Sequence, residues 1–172
     1  ENNSTRGQTA ECTGGGQDDE ILVQAGNRIP GIPLHSLKLG ADWRAGADWT
    51  LSADVVAYSS QYLRGNENNA HQSGTYSDIL GGGPRTFLGA GTAPGYAVLN
   101  LAARVKLDQR WQVSARLNNA FDRRYATAGA LAENPFTAAG AFQTNSDDWT
   151  RESFLAPGAP RSIFVAISLS LN

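Results

Sequence analysis

The residues that could do chemistry in this chain are few, and they do not converge on one reaction. His35 and His71 lie far apart in sequence and have no cysteine or carboxylate at the spacing of metal ligands. The glycine run at 81–84 lacks the lysine and hydroxyl residue of a phosphate-binding loop. The acidic clusters at 18–20 and 146–148 could bind calcium, although solvated loop acids are the commoner case. We therefore predict no catalytic residue, no resident metal or cofactor, and no enzymatic activity.

Ligand recognition is the chemistry that two long glycine-rich segments suggest. Residues 64–94 and 122–160 carry aromatic and cationic side chains, which suit an anionic, aromatic metal chelate, and loops on a rigid scaffold commonly bind ligands. The same side chains could instead pack the segments together, and the sequence favours neither interpretation. We expect deletion of residues 72–90 to abolish ligand binding and to leave assembly intact. The ligand-binding candidates are Tyr76, Arg85, Phe87, Phe136, Phe142, Trp149 and Arg151.

Five stretches must position these segments, and each has the two-residue period of a β-strand. Apolar residues occupy alternate positions, and no charged residue falls on any apolar face, whereas a helical arrangement would mix charges into every face. Phe164 is an exception, because it falls among the polar positions of the last stretch. The predicted strands lie within residues 34–44, 49–57, 98–107, 110–119 and 162–172, with a candidate short strand at 20–24.

Short and long connections alternate along the chain. Residues 44–48 and 108–110 are short enough for tight antiparallel turns, whereas the glycine-rich connections are long. In an up-and-down arrangement, all short turns then lie at one end of the sheet and all long loops at the other. Outer-membrane barrels sort their connections in this way. The sequence therefore predicts an all-β, antiparallel up-and-down meander that forms part of a transmembrane β-barrel with two long outer loops.

Aromatic residues mark both ends of the predicted strands. Trp43, Trp49 and Trp111 fall at the short-turn end of the apolar face, where an aromatic girdle at the membrane interface is expected. Aromatic caps over a soluble core are the alternative interpretation, so a soluble β-sandwich binding module remains open. The aromatic residues near the opposite strand ends are Tyr58, Tyr62, Tyr96, Phe121 and Tyr125.

The predicted sheet has too few strands to close. Membrane barrels need about eight strands or more, and five or six strands leave open edges whose backbone groups lipid cannot satisfy. We therefore expect the C-terminal part of a larger barrel, with residues 1–33 as an outer-loop segment and residues 34–172 as barrel strands. A small oligomeric pore or adhesin-like barrel is another alternative, because open edges can join copies of a chain.

The order of sequence blocks resembles the C-terminal end of TonB-dependent outer-membrane receptors. The blocks are GNRIPGIPLHSLKLGADW, SSQYLRGNENN, PGYAVLNLAARV, LNNAFDRRYATAG and LAPGAPRSIFVAISLSL. The fourth block matches the family's Asn-Leu-Phe-Asp-basic-Tyr motif, with Ala120 in place of leucine. Leu171 stands in the outward phase where the family has a terminal aromatic residue. The matching motif residues are Asn119, Phe121, Asp122, Arg123 and Tyr125.

This resemblance implies active uptake of a scarce ligand, such as an iron–siderophore, across the bacterial outer membrane. The implied partners are outer-membrane lipid, the remaining barrel strands and plug of the receptor, TonB, and a small-molecule chelate. The plug and the TonB-contacting box would lie outside residues 1–172. A formal net charge of -2 gives no reason to expect nucleic acid. The inward charges would line a transport path, contact the plug or pair across strands: Lys38, Asp42, Arg44, Asp54, Arg104, Lys106 and Arg116.

Overall fold

A computed structural model of the chain describes residues 3–5, 21–76 and 84–171. The acidic cluster at 18–20 and the glycines at 81–83 lie outside the described residues. The strands are β1 (Ser36–Arg44), β2 (Trp49–Tyr58), β3 (Gln61–Tyr62), β4 (Gly74–Tyr76), β5 (Arg85–Phe87), β6 (Thr92–Ala93), β7 (Tyr96–Lys106), β8 (Trp111–Asn118), β9 (Ala126–Asn134), β10 (Thr150–Pro157) and β11 (Ser162–Leu169), with a 3₁₀ turn at Ser146–Asp148.

The chain forms two compact units. The first unit comprises Glu1–Pro33, Ser60–Pro94 and Ala126–Ala156, and the second comprises Leu34–Ser59, Gly95–Tyr125 and Pro157–Asn172. In the second unit, β1, β2, β7, β8 and β11 form a five-stranded antiparallel sheet in that order. The all-β, up-and-down arrangement expected from the sequence is therefore confirmed.

Two tight turns connect strands of the second unit. The turn after β1 closes when the Ala45 N–H donates to the Trp49 carbonyl at 3.0 Å, and the turn after β7 closes when the Leu107 N–H donates to the Trp111 carbonyl at 2.9 Å. The Asp108 side chain caps the second turn by accepting from the N–H groups of Arg110 and Trp111, each at 2.7 Å. These donors hold the pKa of Asp108 below its usual value, with Trp111 the larger cause.

The strand register aligns the apolar residues of all five strands. Trp43 lies opposite Leu51, which lies opposite Ala103, and the same row continues through Ala115 to Val165. Because side chains alternate between faces, a slip of one residue would place polar side chains into this row. The register therefore produces one face that is apolar from edge to edge.

The first unit has strands where the sequence predicted only long loops. A four-stranded sheet has the order β4-β5-β10-β9, and β3 pairs with β6. Most of these strands are very short, and β9 has the sequence ATAGALAEN, in which alanine and glycine are weak strand formers. A Cβ at Gly129 would lie 2.5 Å from the carbonyl oxygen of Phe154, so close backbone approach requires this glycine. The core of this unit is formed by Leu63, Ala93, Ala126 and Leu131.

The candidate short strand at 20–24 is not found in the part of it that the structure describes. Residues 21–24 have no strand conformation and lead into a local turn. The Gln24 N–H donates to Asn27 Oδ1 at 2.6 Å, and the Asn27 N–H donates back to the Gln24 carbonyl at 3.1 Å. An asparagine side chain that satisfies nearby backbone groups competes with strand pairing, which explains the difference.

Candidate functional site

The outward face of the five-stranded sheet is broad, apolar and exposed. Leu39, Ile163 and Ile167 expose 60%, 71% and 66% of their surface, although all three lie within strands. Among the described residues of the second unit, no second sheet covers this face. An exposed apolar patch of this kind indicates contact with lipid or with another protein surface. The exposed apolar side chains are Leu37, Leu39, Trp43, Trp49, Leu101, Trp111, Ile163, Val165, Ile167 and Leu169.

The three predicted girdle tryptophans lie at one end of this face. Trp43 is next to the last residue of β1, and Trp49 and Trp111 are the first residues of β2 and β8. All three flank the two short turns, and all three side chains are exposed. The arrangement suits a membrane–water interface, where an indole contacts lipid with its ring and water with its N–H. Their role at such an interface stays a prediction.

Three of the five aromatic residues predicted at the opposite strand ends come together. The rings of Tyr58 and Tyr96 have centroids 5.4 Å apart, and those of Tyr96 and Tyr125 have centroids 4.3 Å apart. Phe121 is 80% exposed and joins no ring pair. Tyr62 belongs to the first unit, where its ring lies 5.2 Å from the guanidinium carbon of Arg28.

The motif that follows β8 is a hydrogen-bonded turn built on Asn119. This residue is 3% exposed and has a φ of 49°, a left-handed conformation that asparagine adopts more readily than most residues. Its side-chain amide donates to the carbonyls of Arg123 at 2.9 Å and Ala159 at 3.1 Å, and its Oδ1 accepts from the Arg123 N–H at 2.8 Å. Its own N–H donates to Asn100 Oδ1 at 2.9 Å. Asn119 therefore fixes where the chain leaves β8 and where it returns to β11.

Asp122 and Tyr125 complete the same turn. Asp122 also has a positive φ, of 51°, and its Oδ1 accepts from the Arg161 N–H at 3.1 Å. The Tyr125 carbonyl accepts from the Gly158 N–H at 2.8 Å. A Cβ at Gly158 would lie 2.1 Å from the Tyr125 ring, so only glycine allows this contact. The sequence motif thus has a structural role at the end of two strands, which its residue types alone do not reveal.

The inward face of the second unit is polar and carries cross-strand pairs. Asp54 accepts a hydrogen bond from Asn100 Nδ2 at 2.7 Å and lies 3.6 Å from the guanidinium of Arg116. Asp42 accepts a hydrogen bond from the Ser52 hydroxyl. Both carboxylates among the predicted inward charges therefore have partners on neighbouring strands. Four cationic side chains on this face form no ion pair with any residue that the structure describes: Lys38, Arg44, Arg104 and Lys106.

Small side chains leave a hollow in this inward face. Ala102, Ser114 and Ala166 occupy adjacent strands and form the floor of a cavity of about 300 Å³. Phe164 lies opposite Arg116, so the exception to the apolar alternation is an aromatic wall of a polar cavity. The other polar lining residues are Asp42, Thr50, Ser52, Arg104 and Arg116.

Phe87 and three other ligand-binding candidates form one group in the first unit. Tyr76 pairs with Arg85 across β4 and β5, and the Tyr76 ring lies 6.3 Å from that of Phe87. The guanidinium carbon of Arg151 lies 6.0 Å from the Phe87 ring centroid, and Arg151 forms an ion pair with Glu133 at 3.2 Å. Phe87 is only 4% exposed, so it packs the unit and presents little surface to a ligand.

The other three candidates form a separate aromatic turn. The rings of Phe136 and Phe142 meet edge to face with centroids 5.8 Å apart, and both side chains are exposed. Trp149 donates through Nε1 to the Gln143 carbonyl at 2.9 Å, and this hydrogen bond stabilises the turn. The structure thus divides the predicted ligand residues into a partly buried group at Phe87 and an exposed aromatic pair.

Sequence reasoning missed the buried polar residues of the first unit. Asn3 contacts Asn66, and the Ser4 N–H contacts the His71 ring, each across more than sixty positions of sequence, which no local pattern predicts. Among the residues that the structure describes, no group of three His, Cys, Asp or Glu side chains could hold a metal ion. Within the same residues, no helix is long and apolar enough to cross a membrane.

Residues 10–120 match the family model described as TonB dependent receptor-like, beta-barrel. This range is well over half of the 172 residues. The chain belongs to this TonB-dependent receptor family. No curated protein matches the chain at a significant level.

A solved receptor structure shares the fold of this chain. The siderophore receptor PiuA from Acinetobacter baumannii is similar to this chain with a TM-score of 0.55 and 15% identity, over 84% of this chain and 15% of that receptor. BauA, the ferric preacinetobactin receptor from Acinetobacter baumannii, has a TM-score of 0.46 and 22% identity, over 84% of this chain and 16% of that receptor. The chain therefore spans about 15% of the length of PiuA.

Membership of the TonB-dependent receptor family confirms the resemblance inferred from the sequence blocks. The family match ends at residue 120, two residues into the motif, whereas the likeness to PiuA covers 84% of the chain. The sheet is antiparallel and does not close on itself, as expected for part of a receptor barrel. Receptors of this family are transport proteins of the outer membrane, which sets the class of function to consider.

Proposed function

We propose that this chain is part of a bacterial outer-membrane receptor that actively takes up a scarce ligand such as an iron–siderophore. The observation that carries the proposal is the second unit, whose sheet has a continuous apolar face and an opposite polar face. Transmembrane barrels need this alternation, because one face of each strand contacts lipid and the other contacts the lumen. The second unit would therefore be barrel wall.

Outer-membrane lipid is the proposed partner of the apolar face. Exposed side chains such as Leu39 and Ile163 would cost free energy in water, about 25 cal/mol for each Å² of apolar surface. The tryptophans at the turn end would sit at the inner, periplasmic interface, because short turns of such barrels face the periplasm. The long connections between the strands would then be extracellular.

The remaining strands and the plug of the same receptor are the proposed partners of the sheet edges and the inward face. β1 and β11 each pair on one side only within the described residues, and lipid cannot satisfy the free backbone groups. The unpaired cations Arg104 and Lys106 give the inward face a net positive character that would favour acidic groups of the plug or an anionic ligand. TonB would act through a part of the receptor outside these residues.

Ligand contact is assigned to the first unit. The exposed Phe136 and Phe142 pair offers an aromatic surface, and Arg151 offers a guanidinium group that is ion-paired with Glu133. These groups suit an anionic chelate with aromatic rings, which is consistent with a role like that of PiuA, which is named as a siderophore receptor. We propose no enzymatic role.

Uptake by living cells tests the proposed function. Iron-starved bacteria that produce the intact receptor are expected to accumulate ⁵⁵Fe supplied as a ferric catecholate siderophore, and accumulation should stop when TonB is removed. A panel of catecholate, hydroxamate and carboxylate chelates would identify the ligand class. Equal accumulation with and without TonB for every chelate would reject the proposal.

A further inference from the structure

A buried polar cluster in the first unit has no part in the proposed receptor function. We call it the N-terminal latch, defined as residues 3–5 together with residues 64–72. Its central side chains are almost fully buried, with exposed fractions of 0% for Asn3, 1% for Asn66 and 7% for His71. Buried polar groups must find partners within the protein, so the geometry of this cluster is strictly determined.

Asn3 holds one end of the latch. Its side-chain amide donates to the Gly65 carbonyl at 2.9 Å and to Asn68 Oδ1 at 3.1 Å. Asn66 then fixes the loop to its surroundings by donating to the Gly91 carbonyl at 2.9 Å. A Cβ at Gly91 would lie 2.4 Å from the Asn66 amide nitrogen, so this site has no spare space. The loop offers a preformed set of acceptors for the N-terminal residues.

His71 holds the other end as a hydrogen-bond acceptor. The Ser4 N–H donates to Nδ1 of His71 at 3.0 Å, and the Gln72 N–H donates to the Ser4 hydroxyl at 2.9 Å. A backbone N–H can only donate, so this contact exists only while Nδ1 carries no proton. The ring proton is then on Nε2, which is buried and has no hydrogen-bond partner in the described structure.

We propose that the contact between Ser4 and His71 is acid-sensitive, and that protonation of Nδ1 releases residues 3–5 from residues 64–72. The proton comes from solvent, and the imidazolium then presents an N–H donor to the N–H donor of Ser4. The hydrogen bond is lost, and a cation is left in a buried site where the backbone contact with Gly89 compensates the charge only in part. Both effects favour the released state.

Among the described residues, no charged side chain around the His71 ring compensates a positive charge on it. The ring packs edge-on against Phe87 with centroids 5.8 Å apart. None of the charged residues on the surrounding elements forms a hydrogen bond or ion pair with the ring in the described structure. These residues are Arg64 and Glu67 on the same loop, Arg85 on β5 and Arg151 on β10.

The direction of the pH dependence follows from burial of the ring. Burial lowers the pKa of His71 below its usual value of 6.5, and the backbone contact with Gly89 opposes this only in part. The released state has the ordinary pKa. The latched state is therefore fully favoured above pH 6.5, and it weakens as the pH falls from 6.5 toward the lower pKa of the latched ring. Within that window the latched fraction changes by up to about tenfold per pH unit relative to the released fraction.

Release of residues 3–5 is expected to affect the ligand-binding candidates near Phe87. Phe87 contacts His71 on one side and lies near Tyr76 and Arg151 on others. Loss of the latch loosens His71, which packs against Phe87, so the pairing of β4, β5 and β10, which carry these side chains, should open more often. The latch itself is independent of what ligand the receptor takes.

Amide hydrogen exchange of the intact protein in detergent tests this inference. Protection in peptides that cover residues 3–5 and 64–72, corrected for intrinsic exchange rates, is expected to fall several-fold between pH 7.5 and pH 5.0. His71→Asn places an acceptor that does not titrate near the position of Nδ1, so protection should be independent of pH in this range. His71→Ala removes the acceptor, so protection should be low at both pH values.

The matched control is the other histidine of the chain. His35→Asn changes an exposed histidine of the second unit and should leave the loss of protection at pH 5.0 unchanged. The inference is overturned if wild-type protection does not change with pH, if His71→Asn still loses protection at pH 5.0, or if His35→Asn abolishes the loss.

Discussion

The side-chain amide of Asn119 donates to the carbonyl of Ala159, 40 residues later, at 3.1 Å. This bond joins the exit from β8 to the entry into β11, across a connection that contains β9, β10 and the exposed aromatic turn. A long insertion can therefore vary without moving the strands on either side. The motif at residues 119–125 therefore holds together the two ends of the connection between β8 and β11.

Replacement of Asn119 should destabilise the second unit. Asn119→Ala loses three side-chain hydrogen bonds in a buried site and also places alanine at a φ of 49°. We expect a loss of about 2–4 kcal/mol in the free energy of unfolding. Urea-induced loss of heat-modifiable migration in detergent gels measures this change.

Asn119→Gly separates the two causes, because glycine accepts a positive φ without strain. This variant should recover the conformational part of the loss and keep the hydrogen-bond part. If Asn119→Gly is as stable as the wild type, the hydrogen bonds to Arg123 and Ala159 contribute nothing, and our account of the motif is wrong.

The turn after β7 should depend on the ionisation of Asp108. The N–H groups of Trp111 and Arg110 lower the pKa of this carboxylate from its usual 3.8. A depressed carboxylate pKa stabilises the folded state above pH 3.8, and the contribution is lost as the pH falls through the lower pKa of the folded protein. The stability difference between wild type and Asp108→Asn should therefore vanish at the most acidic pH.

Asp108→Ala is the control for the turn, because it removes the acceptor itself. It should be less stable than Asp108→Asn at both neutral and acidic pH, since an asparagine Oδ1 can still accept from the two N–H groups. A wild-type advantage over Asp108→Asn that persists unchanged at low pH would contradict the assignment.

The two groups of ligand-binding candidates should respond differently to mutation. Phe136→Ala combined with Phe142→Ala removes an exposed aromatic pair, so we expect weaker uptake with unchanged barrel stability. Phe87→Ala removes a buried ring and should destabilise the first unit by about 3–5 kcal/mol. Uptake of ⁵⁵Fe-chelate and proteolysis of the first unit measure the two effects.

Leu88→Ala is a useful comparison, because Leu88 is an exposed neighbour of Phe87. It should affect neither uptake nor proteolysis strongly. Deletion of residues 72–90 does not test ligand binding alone. It removes β4 and β5, and it removes Leu88, which exchanges backbone hydrogen bonds with Arg151 and Ser153. If Leu88→Ala lowers uptake as much as the double phenylalanine variant does, the exposed aromatic pair is not a specific ligand surface.

The sequence revealed the second unit well, because apolar and polar side chains alternate along each of its strands. Residues such as Leu101 and Arg104 must face opposite environments, and this imposes a period of two that can be read directly. The three tryptophans follow from the same constraint. The turn role of Asn119 could be seen only as a family motif, because its partners lie on distant segments.

The strands of the first unit could not be predicted, because they are short and the residues that stabilise this unit do not recur at a regular spacing in the sequence. β3 and β6 have two residues each, and β9 is rich in alanine and glycine. Asn3 and His71 contribute through hydrogen bonds between segments more than sixty positions apart. Such contacts depend on where the chain folds, and the residue types alone do not indicate them. The division of the ligand-binding candidates into a buried group and an exposed group could therefore not be predicted, and their role in ligand binding stays a prediction.

Site-directed spin labelling along β11 tests the central claim that the second unit is barrel wall. Single cysteines at successive positions 163–168, in a background that carries Cys12→Ser, place labels alternately on the apolar and polar faces. In lipid bilayers, labels at Ile163, Val165 and Ile167 should be accessible to oxygen, and labels at Phe164, Ala166 and Ser168 to a polar nickel chelate. This alternation with a period of two is the predicted result. Equal access of the nickel chelate to all six positions would contradict the account.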